Sequence, residues 1–497
     1  MSRRLSILAT VILLLFAVAA AQSANVQFFR SKALDASPIN PRNTQSPADS
    51  PRGKIIAADG KVLAFSTPTG KGRNVYRRIY PLGALTSGVV GFASPTYGSY
   101  FLEAYYSNYL ASHSQAPQSF AQLLAPTTSV DNVVLTLQPS LQRVAQKALA
   151  GRDGAAVVLD PRNGNILAMY SNPTYNPVPL TSTDSKVALA AWKTDIKNNA
   201  NGFPPLGLLA IQQRFPPGST FKVITTSAVI VSDPQLLSKV YPGVSFIIPP
   251  NTKLKLYNFG KGTCGGTIAE MLPPSCDTGF AQVGLDVGGA ALAKAANSFG
   301  YNQKPPIDLP GAVASVFPSA SSLTFNQPGV AYSAIGQQNV ATSALMNALV
   351  AASIGNGGVM MTPHLLDYVT SADGSVIHRY KPIVWKTPLT SAQAGQIVPL
   401  MVAVASRGTA YGYFPAVDDV GAKTGTAQTG THLTDDWMIA FAPASAPTIA
   451  VAVVMPFQAI EKTGALVAGP IMTCLVEGAL SVQSGHAASG ISGTCPK

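Results

Sequence analysis

The chain has 497 residues, of which 47% are hydrophobic and only 11% charged, with a formal net charge of +12. This length admits two or more domains of ~100–200 residues each, and the apolar content excludes extensive disorder, which requires a chain poor in apolar residues. The charge is uneven: residues 1–150 hold 14 Lys/Arg against 5 Asp/Glu, and the remainder 20 against 17. The basic front half suits anionic headgroups or an anionic wall polymer. Scattered positive charges on an exported chain argue against nucleic acid, and a merely solvated basic surface is the plain alternative.

Ser2-Arg3-Arg4 precedes an apolar run from Leu5 to Ala21. A basic flank before such a run reads as an export signal with its basic end left in the cytoplasm. The small residues Ala17, Ala19, Ala20 and Ala21 are compatible with cleavage, but the apolar pattern resumes at Val26, Phe28 and Phe29, which favours an uncleaved anchor. No later stretch is expected to be long and apolar enough for a second span. The remainder is therefore placed outside the cytoplasm, on a Ser/Pro/Asn-rich stalk over residues 23–52.

Beyond the stalk, Lys54–Ala57 and Lys61–Ala64 flank Asp59-Gly60, a hairpin signal. A composition change near Pro126 precedes a strand at Asn132–Leu137 and an amphipathic helix at Leu141–Ala150. Gly154–Tyr170 reads as a hairpin turning at Pro161–Gly164. At the far end, strands are expected at Trp437–Phe441 and Thr448–Met455, then a helix over about Ala465–Leu480. Strands from both ends flanking a helix-rich middle predict an α+β layout, with one sheet built from both chain ends beside a helical subdomain.

The helix-rich middle contains Ser219-Thr220-Phe221-Lys222, the chain's sole Ser-x-x-Lys. Residues three apart share a helix face, so the Lys222 amine can serve the Ser219 hydroxyl as a base. The bland alternative is a serine capping an ordinary helix. Two further motifs follow, Ser275-Cys276-Asp277 and Lys423-Thr424-Gly425-Thr426. A second Lys-Thr-Gly occurs at Lys462-Thr463-Gly464. Lys423 precedes apolar strands whereas Lys462 opens the last helix, so the chemistry is assigned to Lys423.

The four cysteines, Cys264, Cys276, Cys474 and Cys495, permit three connectivities in an oxidising compartment. Proximity suggests Cys264–Cys276 and Cys474–Cys495. Their spacing does not suit zinc, and the histidines form no ligand pattern, so neither a metal nor a cofactor is expected.

The ordered triplet resembles the signature of the penicillin-recognising serine transferases. Arg52-Gly53-Lys54-Ile55, Asp59–Ala64, Gly154–Pro161, Gly164–Met169, Gly336-Gln337-Gln338 and Gly355–Gly358 are similar to landmarks of the class B penicillin-binding proteins, nearest in pattern to the PbpA-like members. The resemblance implies a penicillin-binding/serine β-lactamase-like fold: an antiparallel sheet flanked by helices with a helical subdomain, plus a smaller β-rich domain. The expected division is 1–24 for flank and anchor, 25–145 for a non-catalytic pedestal and 146–497 for the transpeptidase domain.

It further implies crosslinking of D-Ala–D-Ala stem peptides through a Ser219 acyl-enzyme, in a bacterial membrane protein whose catalytic domain is extracytoplasmic. Lys222 is expected as general base, and Ser275 as a relay to the departing amine. Lys423 and Thr424 are assigned to the substrate carboxylate, Gly425 to close backbone approach, and the Ser219 and Thr426 amides to an oxyanion hole. β-Lactams are implied as covalent inhibitors, and a membrane glycan polymerase and division or elongation proteins as partners. The family usually has Asn where Asp277 stands. A carboxylate only accepts, so Asp277 either pairs with Lys222 and holds its proton or is itself protonated and donates as the amide does. The alternatives to crosslinking are D,D-carboxypeptidase or β-lactamase activity, and a non-catalytic β-lactam-binding division scaffold.

Overall fold

In a computed structural model, residues 3–25, 49–69, 75–114, 128–430 and 432–486 are described. Most of the expected stalk, the Cys495 end of the expected second disulfide and the Ser/Gly-rich tail lie outside them. Cys474 is disulfide-bonded and the described residues hold no free thiol.

The first helix, Arg3–Ala24, spans about 33 Å at 1.5 Å per residue. Leu13, Leu14, Leu15 and Phe16 on it are all exposed. The last helix, Gly464–Gln483, is long and apolar enough to cross a membrane by length and composition, contrary to the expectation of no such later stretch. It packs instead against the central strands and the helix Pro139–Leu149, burying Val467, Ile471, Met472, Leu475 and Val476. A helix apolar on nearly all sides belongs either in a membrane or inside a core, and these contacts place it in the core.

The central sheet has five antiparallel strands in the order Ile166–Asn172, Gly154–Leu159, Ile449–Ala459, Leu433–Ala442 and Gly421–Gln428. Its first two strands come from the hairpin expected at Gly154–Tyr170, with Gly164 in the left-handed turn (φ 86°). Helices cover both faces, so Gly154–Leu159 and Trp437–Ala442 are buried throughout and show no polar alternation. Pairing aligns Lys423 with Ile439, Gly425 with Trp437 and Thr426 with Asp436. That register makes the Lys-Thr-Gly strand the edge of the sheet.

A second sheet has six strands in the order Val376–Arg379, Leu366–Thr370, Asn132–Leu135, Ile55–Ile56, Val62–Pro68 and Tyr76–Ile79. The expected hairpin is present, with Ile55 opposite Ala64. Two strands from beyond residue 365 complete a sheet whose other members all precede residue 136. A buried clamp reinforces this join. Tyr106 donates from its hydroxyl to Asp308 at 2.6 Å, and the Asp308 carboxylate also accepts from the Leu365 and Leu366 amides at 2.8 Å each.

Around Glu103 the N-terminal part buries an ion cluster. Arg52 Nε donates to Glu103 Oε2 at 3.0 Å, and Arg78 Nε to Oε1 at 2.6 Å. The Tyr80 hydroxyl adds a bond at 3.1 Å. Burial alone raises the Glu103 carboxyl, but Arg78 and Arg52 overcome it and hold the group below the usual carboxylate range.

Candidate active site

Ser219 lies in a single 3-10 turn, Gly218–Phe221, that runs directly into the helix Lys222–Ser232. The turn is fixed on several sides. Gly218 donates its amide to Gly336 O at 3.0 Å, Trp437 Nε1 donates to Pro216 O at 2.8 Å, and Asn347 donates to Thr220 Oγ1 at 3.2 Å. Phe221 stacks on Phe317 with ring centroids 5.2 Å apart. A nucleophile on a turn held this way spends little entropy on being positioned.

Ser275 takes a left-handed backbone (φ 63°) in the loop before the helix Asp277–Val287. Asp277 is the first residue of that helix, where the unpaired amides favour an acidic side chain. Lys423 projects from the edge strand. These elements converge on one polar cluster. The buried Lys222 amine donates to Asp277 Oδ1 at 2.7 Å, Ser275 O at 2.7 Å and Ser275 Oγ at 3.3 Å. The equally buried Lys423 amine donates to the same Ser275 Oγ at 2.8 Å and to Thr424 O at 2.8 Å. Ser219 Oγ, half-buried at the front, donates to Asp277 Oδ1 at 3.4 Å.

The helix-face argument therefore places Ser219 and Lys222 together in a modified way. Their hydrogen bonds meet at a shared carboxylate oxygen and do not run directly from one residue to the other. Burial lowers the Lys222 amine from its ordinary value, with Asp277 pulling it partly back up. Burial, and then the neighbouring Lys222 charge, push the Lys423 amine well below its usual range. Two lysines packed into one dry site weaken each other's hold on the ammonium proton. The ring of Phe280, 5.5 Å from Lys222 Nζ, contributes to the apolar wall.

The strand residues divide their side chains. Thr424 Oγ1 shares a hydrogen bond of 2.6 Å with Thr409 Oγ1. Gly425 has no room for a side chain, because a Cβ there would sit 2.6 Å from Pro217 O. Thr426 turns its hydroxyl toward the last helix, where it accepts from Gly464 N at 2.9 Å. The second Lys-Thr-Gly thus supports the first. A Cβ on Gly464 would lie 2.1 Å from Gly425 O, so its glycine is needed for the two segments to touch. Thr409 and Asn347 carry no motif that marks them in the sequence; a hydroxyl or amide that acts through a distant partner has no local pattern.

Cys264 and Cys276 are joined by a disulfide. Cys276 is the residue between Ser275 and Asp277, so this bond fastens the loop to the segment 238–266.

A sheet with both faces covered, an edge strand carrying Lys-Thr-Gly and a serine-lysine helix turn facing it define a penicillin-recognising transpeptidase. The family model "Penicillin binding protein transpeptidase domain" matches residues 154–477, and "Penicillin binding protein A dimerisation domain" matches 52–132. The chain belongs to the class B penicillin-binding proteins, on the PbpA-like side of that family. It is 33% identical to the peptidoglycan D,D-transpeptidase PbpA of Mycobacterium tuberculosis, over 96% of this chain and 98% of that one. Identity to PbpA of Mycolicibacterium smegmatis is also 33%, over 97% and 99%. The penicillin G acyl-enzyme structure of the M. tuberculosis protein superposes with a TM-score of 0.77 at 31% identity, covering 86% of this chain and 99% of that chain.

Proposed function

We propose that the chain is a membrane-anchored peptidoglycan D,D-transpeptidase that β-lactams acylate at Ser219. The observation that carries the reading is the convergence of Ser219, Lys222 and Lys423 on Ser275 and Asp277. Ser219 Oγ attacks the carbonyl of the penultimate D-alanine while Lys222, in its unprotonated form, accepts the hydroxyl proton. The amides of Ser219 and Thr426 hold the oxyanion. Lys423 and Thr424 receive the terminal carboxylate, and Ser275 passes a proton to the departing D-alanine amine. The C–N bond breaks, and an amine of a second stem peptide then takes the acyl group from Ser219. The exposed apolar helix Arg3–Ala24 supplies the anchor, with the catalytic part outside the cytoplasm. The positively charged flank at Arg3 and Arg4 sets that orientation.

The test is labelling of the full-length chain with a fluorescent penicillin, alongside Ser219→Ala. Stable label on the wild type and none on the variant supports the reading. Absence of label on the wild type overturns it, and rapid loss of label assigns hydrolysis instead. Incubation with lipid-linked precursor and a glycan polymerase, followed by muropeptide analysis, then reads crosslinks directly.

A further inference from the structure

Residues 238–266 form a small lobe of two short antiparallel pairs, Tyr241–Val244 with Cys264–Gly266 and Phe246–Ile247 with Leu256–Tyr257. The lobe carries Lys239, Lys253, Lys255 and Lys261 and no acidic residue. Lys239 is paired with Asp286 at 2.7 Å. Among the described residues, the exposed Lys253, Lys255 and Lys261 meet no carboxylate. Apolar groups stand exposed between them: Leu254 is 68% exposed, Phe259 50% and Tyr257 42%. Two ammonium groups lie near aromatic rings, Lys255 at 4.2 Å from the Phe246 centroid and Lys261 at 5.7 Å from that of Tyr257.

An exposed patch combining unpaired cations with ring faces is a binding surface for something anionic that also offers flat apolar faces. Its attachment indicates what that is. The Cys264–Cys276 bond fastens the lobe to the residue between Ser275 and Asp277. Asn258 strengthens the join by accepting from the Thr278 amide at 2.8 Å while donating to Val244 O and Gly262 O, both at 2.8 Å. Whatever docks on the lobe is therefore held beside the catalytic loop.

We infer that this lobe binds the uncrosslinked glycan strand that carries the stem peptides, as a docking site outside the cleft. The inference rests on the transpeptidase reading for the identity of the polymer. Stem-peptide carboxylates pair with Lys253, Lys255 and Lys261, and sugar rings lie on Tyr257 and Phe259. Holding the polymer there raises the local concentration of stems at Ser219 without any contact with the reacting atoms.

The experiment is co-sedimentation of the full-length chain, in detergent, with purified insoluble peptidoglycan, alone and in competition with phosphatidylglycerol dispersed in the same detergent. The variants are a Lys253→Ala/Lys255→Ala/Lys261→Ala triple, the corresponding Lys→Arg triple, and Tyr257→Ser/Phe259→Ser. The alanine triple is expected to weaken peptidoglycan binding about tenfold or more at low salt, and the aromatic pair to weaken it as well. The arginine triple is expected to keep the binding, and the rate of fluorescent-penicillin acylation to be unchanged in all three. Undiminished peptidoglycan binding by the alanine triple overturns the inference. So does displacement of the wild type from peptidoglycan by the phosphatidylglycerol, or an equal loss in the arginine triple. Ser219→Ala separates the two readings: it removes the penicillin label and leaves peptidoglycan sedimentation intact. A wild type that sediments through the lobe but takes no label overturns the catalytic reading alone.

Discussion

Two of the buried charge clusters among the described residues are built for opposite ends. Around Glu103, one carboxylate is gripped by two arginines and a tyrosine hydroxyl, and its charge is locked in place. Around Ser275, two lysines share one hydroxyl and only Lys222 is bonded to a carboxylate, and burial works against the positive charges. Arginine keeps its proton in almost any surroundings, whereas lysine yields its proton when desolvated. The choice of cation thus separates a cluster that fixes structure from one that can exchange a proton.

The comparison breaks most sharply at Lys222. Lys222→Ala is expected to slow penicillin acylation by about 10²–10⁴-fold, the range for loss of a general base, with a smaller loss of melting temperature than any Glu103 variant. Stopped-flow acylation and thermal unfolding measured on one preparation read both.

Glu103→Gln should do the reverse. It leaves two buried guanidinium groups without their counter-ion, a change that costs about 3–5 kcal/mol, while acylation by the molecules still folded is unaltered. Urea unfolding alongside active-site titration checks it. The pH windows differ too. Glu103 has a depressed folded pKa, so its stabilisation is complete above the ordinary carboxylate value of about 4.3 and is lost as pH falls through the lower folded value. The lowered Lys222 value acts on the alkaline side, where stability rises as pH climbs from that value toward about 10.4.

Asp277→Asn sharpens the contrast without removing a lysine. The carboxylate raises the Lys222 pKa against burial, so its loss should move the acid limb of the acylation profile to lower pH, the direction expected on removing an opposite charge. An unchanged pH–rate profile would show that Lys222 is not the titrating base. The smallest effect is expected from Thr409→Val, which removes one hydroxyl partner of Thr424. The cost is about 0.5–1.5 kcal/mol, read as slower acylation with no change in that profile.

Much of this was legible in the sequence because the information is local. The hairpin around Asp59-Gly60, the hairpin from Gly154 and the two C-terminal strands announce themselves through turn residues and apolar runs. The three motifs identify Ser219, Ser275 and Lys423 before any coordinates do, and the structure places them in one cluster. What stayed hidden is carried by distant partners. Nothing in Leu366–Thr370 says that it pairs with Asn132–Leu135. Nothing in Lys462-Thr463-Gly464 distinguishes a chance repeat from a segment seated against Gly425. The last helix shows the limit of composition: its apolar character fits a bilayer and a core equally, and only its neighbours decide.

The strand pair borrowed by the N-terminal sheet bears on how the protein is made. Asn132 and Thr370, bonded across that sheet, are 238 residues apart. During synthesis the first segment emerges with an open edge and waits for nearly half the chain before its neighbour arrives. An unpaired edge is where chains stick to one another, so chaperones have a long interval in which to be needed. A fragment ending before residue 366 inherits that open edge permanently.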